Sequence, residues 1–202
     1  MTLAFAAFTR RGEDLARRLA QQFGGSVTRI DKENPLPVWT AQQFSEKEGL
    51  VFVGAVGIAV RAVAPHLRHK TTDPAVVAVD EGGRFAIPLV SGHLGGANAL
   101  AQAIAAHLGA IPVITTATDG RGLFAVDSWA NAQGCLVKEP ERIKWVSSNV
   151  LDGKQILLRC PWPISGEKPE EVSLTEEEAC DAAVTLYQEE NTALHLLPKA
   201  LT

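Results

Sequence analysis

The stretch "LVFVGAVGIAVRAVAPHL", residues 50–67, decides the fold. Its first part is a short, uninterrupted apolar run that stops at glycine, the pattern of a strand buried on both faces. Its second part reads as a helix that Pro65 interrupts near its end. A buried strand passing directly into a helix is the repeating unit of a parallel α/β sheet.

The same alternation continues on both sides. Upstream, LAFAAFT (3–9) is a buried strand ending at Thr9, and EDLARRLAQQF places Leu15, Leu19 and Phe23 on one helical face before Gly24–Gly25 stops it. VTRID (27–31) reads as a short strand and NPLPVW (34–39) as a proline-marked loop. Downstream, AVVAVD and RFAIPLV flank EGG, a hairpin signal. VSGHLGGANALAQAIAAHLG (90–109) is glycine-rich and then helical, IPVITTATD (111–119) is strand and loop, and FAVDSWANAQG is a helix. The expected fold is α/β: a mostly parallel sheet of four or five strands with one hairpin and helices on both faces.

After Gly134 the texture changes. PERIKWVSSNVLDG suggests a helix, KQILLRC a strand, PWPISGEKP a connector and EEEACDAAVTLYQEE an acidic helix, before the apolar run TALHLLPKALT. The expected division is an α/β domain over 1–134 that carries the motifs, and a small α+β middle or linker domain over 135–202.

Composition excludes several function classes. The net charge is −4, with nine acidic residues and one basic between 166 and 190, and only a mildly basic body over 1–165. That balance excludes the basic patch of a nucleic-acid binder. No apolar run approaches the roughly 18 residues of a membrane span, and no basic segment precedes the first apolar run as in a secretory leader. Cys135, Cys160 and Cys180 are widely spaced and odd in number, which fits a reducing cytoplasm and neither a disulfide framework nor a zinc site.

In open α/β sheets ligands bind beyond the carboxyl ends of the parallel strands. Four segments leave such ends: Thr9–Arg10, Gly54 to Gly57, Ser91 to Gly96, and Thr115 to Asp119. The hairpin adds a fifth. With the strand of 84–90 taken as parallel to the rest, that of 75–80 runs against them, which brings Thr71, Thr72 and Asp73 beside Ser91 and sends Asp80 and Glu81 to the far edge. Each residue also has a plain reading. His93 could cap a helix, Gly92, Gly95 and Gly96 could serve only packing, and Asp119 could mark a turn. Their gathering at one edge points to a site for an anion or a carbonyl at a helix start.

Other motifs carry less. Gly54 and Gly57 lack the third glycine of a dinucleotide loop, and no lysine follows a glycine loop as in a nucleotide triphosphatase. His66 and His69 have no accompanying ligand set and fit a surface position near a helix end. Ser91 lies in SGH rather than GxSxG, so a serine hydrolase is not indicated.

Three segments, "GAVGIAVRAVAPHL", "KTTDPAVVAVDEGGRFAIPLVSGHLGGANALA" and "IPVITTATDGRGLFAVDSWA", together resemble the cobalamin-biosynthesis protein G family, the cobalt-precorrin-5A hydrolases. The resemblance runs almost unbroken from about Leu50 to Ala130 and more loosely through the rest. It implies an enzyme that opens the lactone of a ring-contracted, polycarboxylate cobalt tetrapyrrole, with release of acetaldehyde. It also implies that cobalt arrives in the substrate, with no resident metal or cofactor; family members usually continue past the segment matching LLPKALT into a further C-terminal domain, which this sequence is expected to lack. A separate chain supplying that domain, other enzymes of the pathway and a second copy of this chain are the partners it suggests.

On that reading His93 is the general base or positions the water, and Asp73 or Asp119 orients it or acts in the later carbon–carbon cleavage. Amides around Gly95 and Gly96 face the oxyanion. Asn98 and Arg61 hold substrate carboxylates, with Gly54, Gly57, Thr71, Thr72, Ser91, Gly92, Thr115 and Thr116 completing the wall. The alternatives are a corrinoid-holding module without chemistry of its own and an unrelated nucleotide-binding α/β protein.

Overall fold

The computed structural model describes residues 1–199, which divide into two compact units, Met1–Ile114 and a second that begins at Thr115. The segment 115–134, assigned from sequence to the first domain, belongs to the second unit.

In the first unit the elements run β1 (Leu3–Ala7), α1 (Arg10–Phe23), β2 (Ser26–Arg29), α2 (Leu36–Glu46), β3 (Gly49–Val53), α3 (Val56–Val63), β4 (Ala75–Val79), β5 (Phe85–Val90), α4 (Ala97–Leu108) and β6 (Ile111–Pro112). They form one sheet in the order β2-β1-β3-β4-β5-β6. Every residue of β1, β3 and β4 is buried, which is why those strands lack the polar alternation of a one-sided sheet. Phe5, Ala7, Val51 and Val53 pack under Leu15 and Leu19 of α1 and Ile104 of α4. Ala6, Leu50 and Phe52 meet Trp39 of α2 and Val63 of α3 on the other face. Removing each of the Val, Leu, Ile and Phe side chains among these from water stabilises the unit by about 1.5–3 kcal/mol.

Strand direction departs from the sequence reading. β1, β2, β3 and β4 are mutually parallel, β5 runs against β4, and β6 runs with β5. A hairpin requires only that its two strands oppose each other. The preceding connection decides which strand joins the parallel set. The α3 crossover carries the chain back to the amino edge of the sheet, so β4 must run with β3, and β5 is the reversed strand.

Two further expectations change locally. The proline-marked loop becomes α2 because Pro35 and Pro37 sit at the helix cap and in its first turn, where a missing N–H costs nothing. The expected strand after Ile111 shrinks to the edge pair Ile111–Pro112, since proline donates nothing to a ladder.

In the second unit α5 (Ala117–Gly120), α6 (Val126–Ala132), β7 (Cys135–Val137), α7 (Ile143–Leu151), β8 (Ile156–Arg159), β9 (Val172–Leu174), β10 (Ala182–Val184) and β11 (Leu194–Pro198) follow in order. The sheet order is β7-β11-β10-β8-β9, parallel except for β7. The acidic stretch expected to be helical instead supplies β10, whose Ala182, Ala183 and Val184 are buried. Pairing with β8 and β11 overrides the helical propensity of the flanking glutamates. β11 lies within the final apolar run, and residues 200–202 lie outside the described residues.

Candidate functional site

The amino edge of the first sheet brings together the end of β5 and the approach to β4. Residues 69–73 form a tight turn in which the amides of Thr72 and Asp73 both donate to the His69 carbonyl, at 3.0 and 2.9 Å. The Asp73 side chain is buried, and its two oxygens accept from the Arg68 amide at 3.1 and 3.0 Å. The Thr71 hydroxyl lies 2.8 Å from Nδ1 of His69, and the Thr72 hydroxyl donates to the His69 carbonyl. Asp73 is in turn tied to the opposite loop: the Ser91 hydroxyl donates to its main-chain carbonyl at 2.8 Å.

Loop 91–96 is strongly determined. Ser91 has φ 57°, the one positive value at a non-glycine among the described residues. A left-handed serine is a strained conformation that surrounding bonds must hold. They do so here. The amides of Ala97 and Asn98 donate to the carbonyls of Ser91 and Gly92 at 3.1 and 2.9 Å, and that of Gly96 to His93 at 2.9 Å. A Cβ on Gly95 would stand 2.4 Å from Cβ of Ser91 and 2.9 Å from its carbonyl, so any side chain there displaces the serine. Gly96, at φ 82°, makes the turn into α4.

These bonds change the expected division of labour. The Gly96 amide, expected to face an oxyanion, is taken by the His93 carbonyl. Asn98 is buried, with its side-chain oxygen 2.8 Å from where a Gly92 Cβ would stand, so it props the loop from beneath.

Asp73 and Thr72 also line a cavity of about 310 Å³ together with Phe44, Ser45, His66 and Arg68. The His66 ring lies against Phe44 at 5.8 Å. Sequence reading placed His66 on the surface and did not single out Arg68; the only sequence signal was the basic run HLRHK beside the TTD motif.

Gly54, Gly57 and Arg61 lie elsewhere. They follow the carboxyl end of β3, at the opposite edge of the sheet from Asp73 and Ser91. A Cβ at Gly54 would stand 2.7 Å from the Phe8 ring, and the Arg61 guanidinium folds back to within 3.4 Å of the Cβ position at Gly57. Glu81, expected at the far edge from Thr9, instead accepts a hydrogen bond from the Thr9 hydroxyl. The five-segment gathering therefore separates. One edge of the first unit holds Thr71, Thr72, Asp73, Ser91, Gly92, His93, Gly95, Gly96 and Asn98; the other holds Gly54, Gly57 and Arg61. Thr115, Thr116 and Asp119 belong to the second unit, where the Thr116 hydroxyl bonds the Asp119 carboxylate.

The second unit also holds a pair that sequence reading missed. His195 is fully buried, and its Nδ1 and main-chain amide approach the two oxygens of Glu139 at 3.0 and 2.9 Å. A histidine inside the apolar run TALHLLPKALT was the available signal. Among the described residues no group of three or more His, Cys, Asp or Glu is placed to hold a metal ion.

Comparison with known proteins agrees with the motifs. Residues 38–119 match the family model described as Cobalamin synthesis G N-terminal. A cobalt-precorrin-5A hydrolase of Salmonella typhimurium is 44% identical over 138 residues, 64% of this chain and 39% of that protein. One from Priestia megaterium is 32% identical over 98% of this chain and 55% of its own length. The crystal structure of a cobalamin biosynthesis protein G homolog from Sulfolobus solfataricus shares the fold, with a TM-score of 0.60 at 21% identity, covering 98% of this chain and 60% of that one. The chain thus spans about half or less of the length of these curated relatives. On the matched motifs and these likenesses, the chain belongs to the cobalamin-biosynthesis protein G family.

Proposed function

We propose that this chain carries the substrate edge of a cobalt-precorrin-5A hydrolase, with lactone opening at loop 91–96. The observation that carries the reading is the Ser91–Asp73 tie, which fixes the SGHLGG loop against the TTD turn in a protein whose relatives bear that name. A loop held by its own amides presents its side chains at fixed positions, and position is what a hydrolytic base needs.

His93 takes the proton from the attacking water, which adds to the lactone carbonyl. The tetrahedral oxyanion is met by the Gly95 amide, since that of Gly96 is engaged. Collapse breaks the ring C–O bond, and the departing alkoxide recovers a proton from the imidazolium. Asp73 fixes the turn, with both carboxylate oxygens accepting from the Arg68 amide. Asp119, with Thr116, belongs to the later acetaldehyde-releasing cleavage. Cobalt enters as part of the substrate, so the chemistry draws on no resident cofactor. A reducing cytoplasm suits the three free thiols; no helix among the described residues is long and apolar enough to cross a membrane.

The relatives' extra length supports a further domain that completes the enzyme. The test is single-turnover release of acetaldehyde from cobalt-precorrin-5A by residues 1–202 alone and after adding the remaining C-terminal portion of a relative. Product in either arm supports the hydrolase. Substrate bound but never converted in both arms makes the chain a holding module.

A further inference from the structure

A polycarboxylate that settles at the amino edge of the first unit needs a cation to meet it. Sequence reading gave that task to Arg61 and Asn98, but Arg61 lies at the opposite edge and Asn98 sits beneath loop 91–96. The cavity of about 310 Å³ beside the TTD turn supplies other groups for it.

The cavity wall is divided by polarity. Ala41, Phe44, Pro65 and Leu67 form an apolar part, and Arg68 and His66 add nitrogen donors to it. Those two heads are unspent. Among the described residues the Arg68 guanidinium pairs with no carboxylate, and neither ring nitrogen of His66 has a hydrogen-bond partner. The hydroxyls of the lining are used locally instead: that of Ser45 donates to the Gln42 carbonyl at 2.8 Å and that of Thr72 to the His69 carbonyl at 3.2 Å. Asp73 is the acidic residue of the lining, and both of its oxygens accept from the Arg68 amide. That bond fixes the root of the Arg68 side chain and leaves its guanidinium to a ligand.

We propose that this cavity is a subsite for a carboxylate carried on a short apolar arm, held by Arg68 with His66 as the second donor. A guanidinium presents paired N–H groups that match the two oxygens of a carboxylate. An imidazole donates from at least one nitrogen in either protonation state. The apolar part of the wall takes the arm, which a bare inorganic anion lacks. A tetrapyrrole exceeds the cavity, so one peripheral arm enters while the ring stays outside. Asp73 joins the subsite to the reaction edge, because it lines the cavity and its main-chain carbonyl receives the Ser91 hydroxyl. Arg68 thereby registers the macrocycle against loop 91–96. The identity of the body that carries the arm rests on the proposed hydrolase function.

The probe is uroporphyrin I, a fluorescent tetrapyrrole whose carboxylates sit on acetate and propionate arms. Titrated into residues 1–202, it should bind saturably, and Arg68→Gln should weaken it about tenfold. The glutamine keeps the main-chain amide that Asp73 uses, so the turn is retained. Arg18→Gln removes an equal charge from exposed α1 surface and should change affinity by less than about twofold. Inorganic phosphate at the porphyrin's own concentration should not displace it. The unaltered protein gives a second readout: saturating porphyrin should slow phenylglyoxal modification of Arg68 by about threefold or more and leave that of Arg18 unchanged. Equal weakening by the two variants, displacement by phosphate, or an unprotected Arg68 would overturn the proposal. Binding read without turnover separates this subsite from the hydrolase function. Arg68-dependent binding with no acetaldehyde released removes the hydrolase and keeps the subsite. Acetaldehyde released while Arg68→Gln binds normally removes the subsite alone.

Discussion

The Thr9 hydroxyl donates to the Glu81 carboxylate at 2.6 Å across 72 positions of sequence. That bond joins the carboxyl ends of β1 and β4, and so records that β4 runs with the parallel set. Thr9 also accepts from the Gly12 amide at 3.0 Å and so caps α1. Thr9→Ala should therefore lower stability by about 1 kcal/mol in urea unfolding, and Thr9→Ser should restore most of it. Equal loss in both variants would mean that the methyl group, not the hydroxyl, matters.

Gly95→Ala should damage the site more than the scaffold. Its Cβ would press on Ser91 at 2.4 Å, pushing the serine hydroxyl away from the Asp73 carbonyl. The expected outcome is a loss of turnover of at least tenfold with most stability retained, about 1–3 kcal/mol being lost to overpacking. Unchanged turnover would show that the loop tolerates displacement.

These loops mark what side-chain pattern carries and what it does not. The buried strands, α1 and the hairpin could be read from apolar runs and turn residues, and the neighbourhood of Asp73 and Ser91 from the hairpin alone. Strand direction could not be read from the hairpin, because EGG reverses the chain without saying which arm is the odd one. The information lay in the α3 crossover. The use of loop amides at Gly96, Ala97 and Asn98 was also hidden, since backbone bonding leaves no mark on side-chain pattern. β10 was misjudged because three buried residues between acidic flanks are too few to show a period.

Asp80 provides a pH test. Partial burial raises its pKa, but amides of Phe85, Arg84 and Gly82 and the Arg84 side chain outweigh that and hold it below the ordinary carboxylate value. A folded pKa below the unfolded one means that the unfolded chain binds the proton more readily. The stabilisation is thus present above roughly pH 3.9 and fades as pH falls through the folded value. Asp80→Asn should remove this acid-dependent component from unfolding curves. Identical pH profiles for both proteins would assign it elsewhere.

Glu139→Ala should destabilise the second unit by about 2–4 kcal/mol, because it strands the buried amide and Nδ1 of His195 together. Glu139→Gln keeps an acceptor and should lose less. Urea unfolding of the two variants makes the comparison; equal losses would show that the carboxylate charge, rather than the presence of an acceptor, is what counts.

In the proposed mechanism loop 91–96 presents His93 to the lactone. The most direct measurement is single-turnover conversion of cobalt-precorrin-5A by a complete enzyme carrying His93→Ala, with substrate binding measured in parallel. The expected result is a fall in rate of roughly a hundredfold to ten-thousandfold at nearly unchanged affinity. Full activity in the variant would contradict it and move the base to another residue.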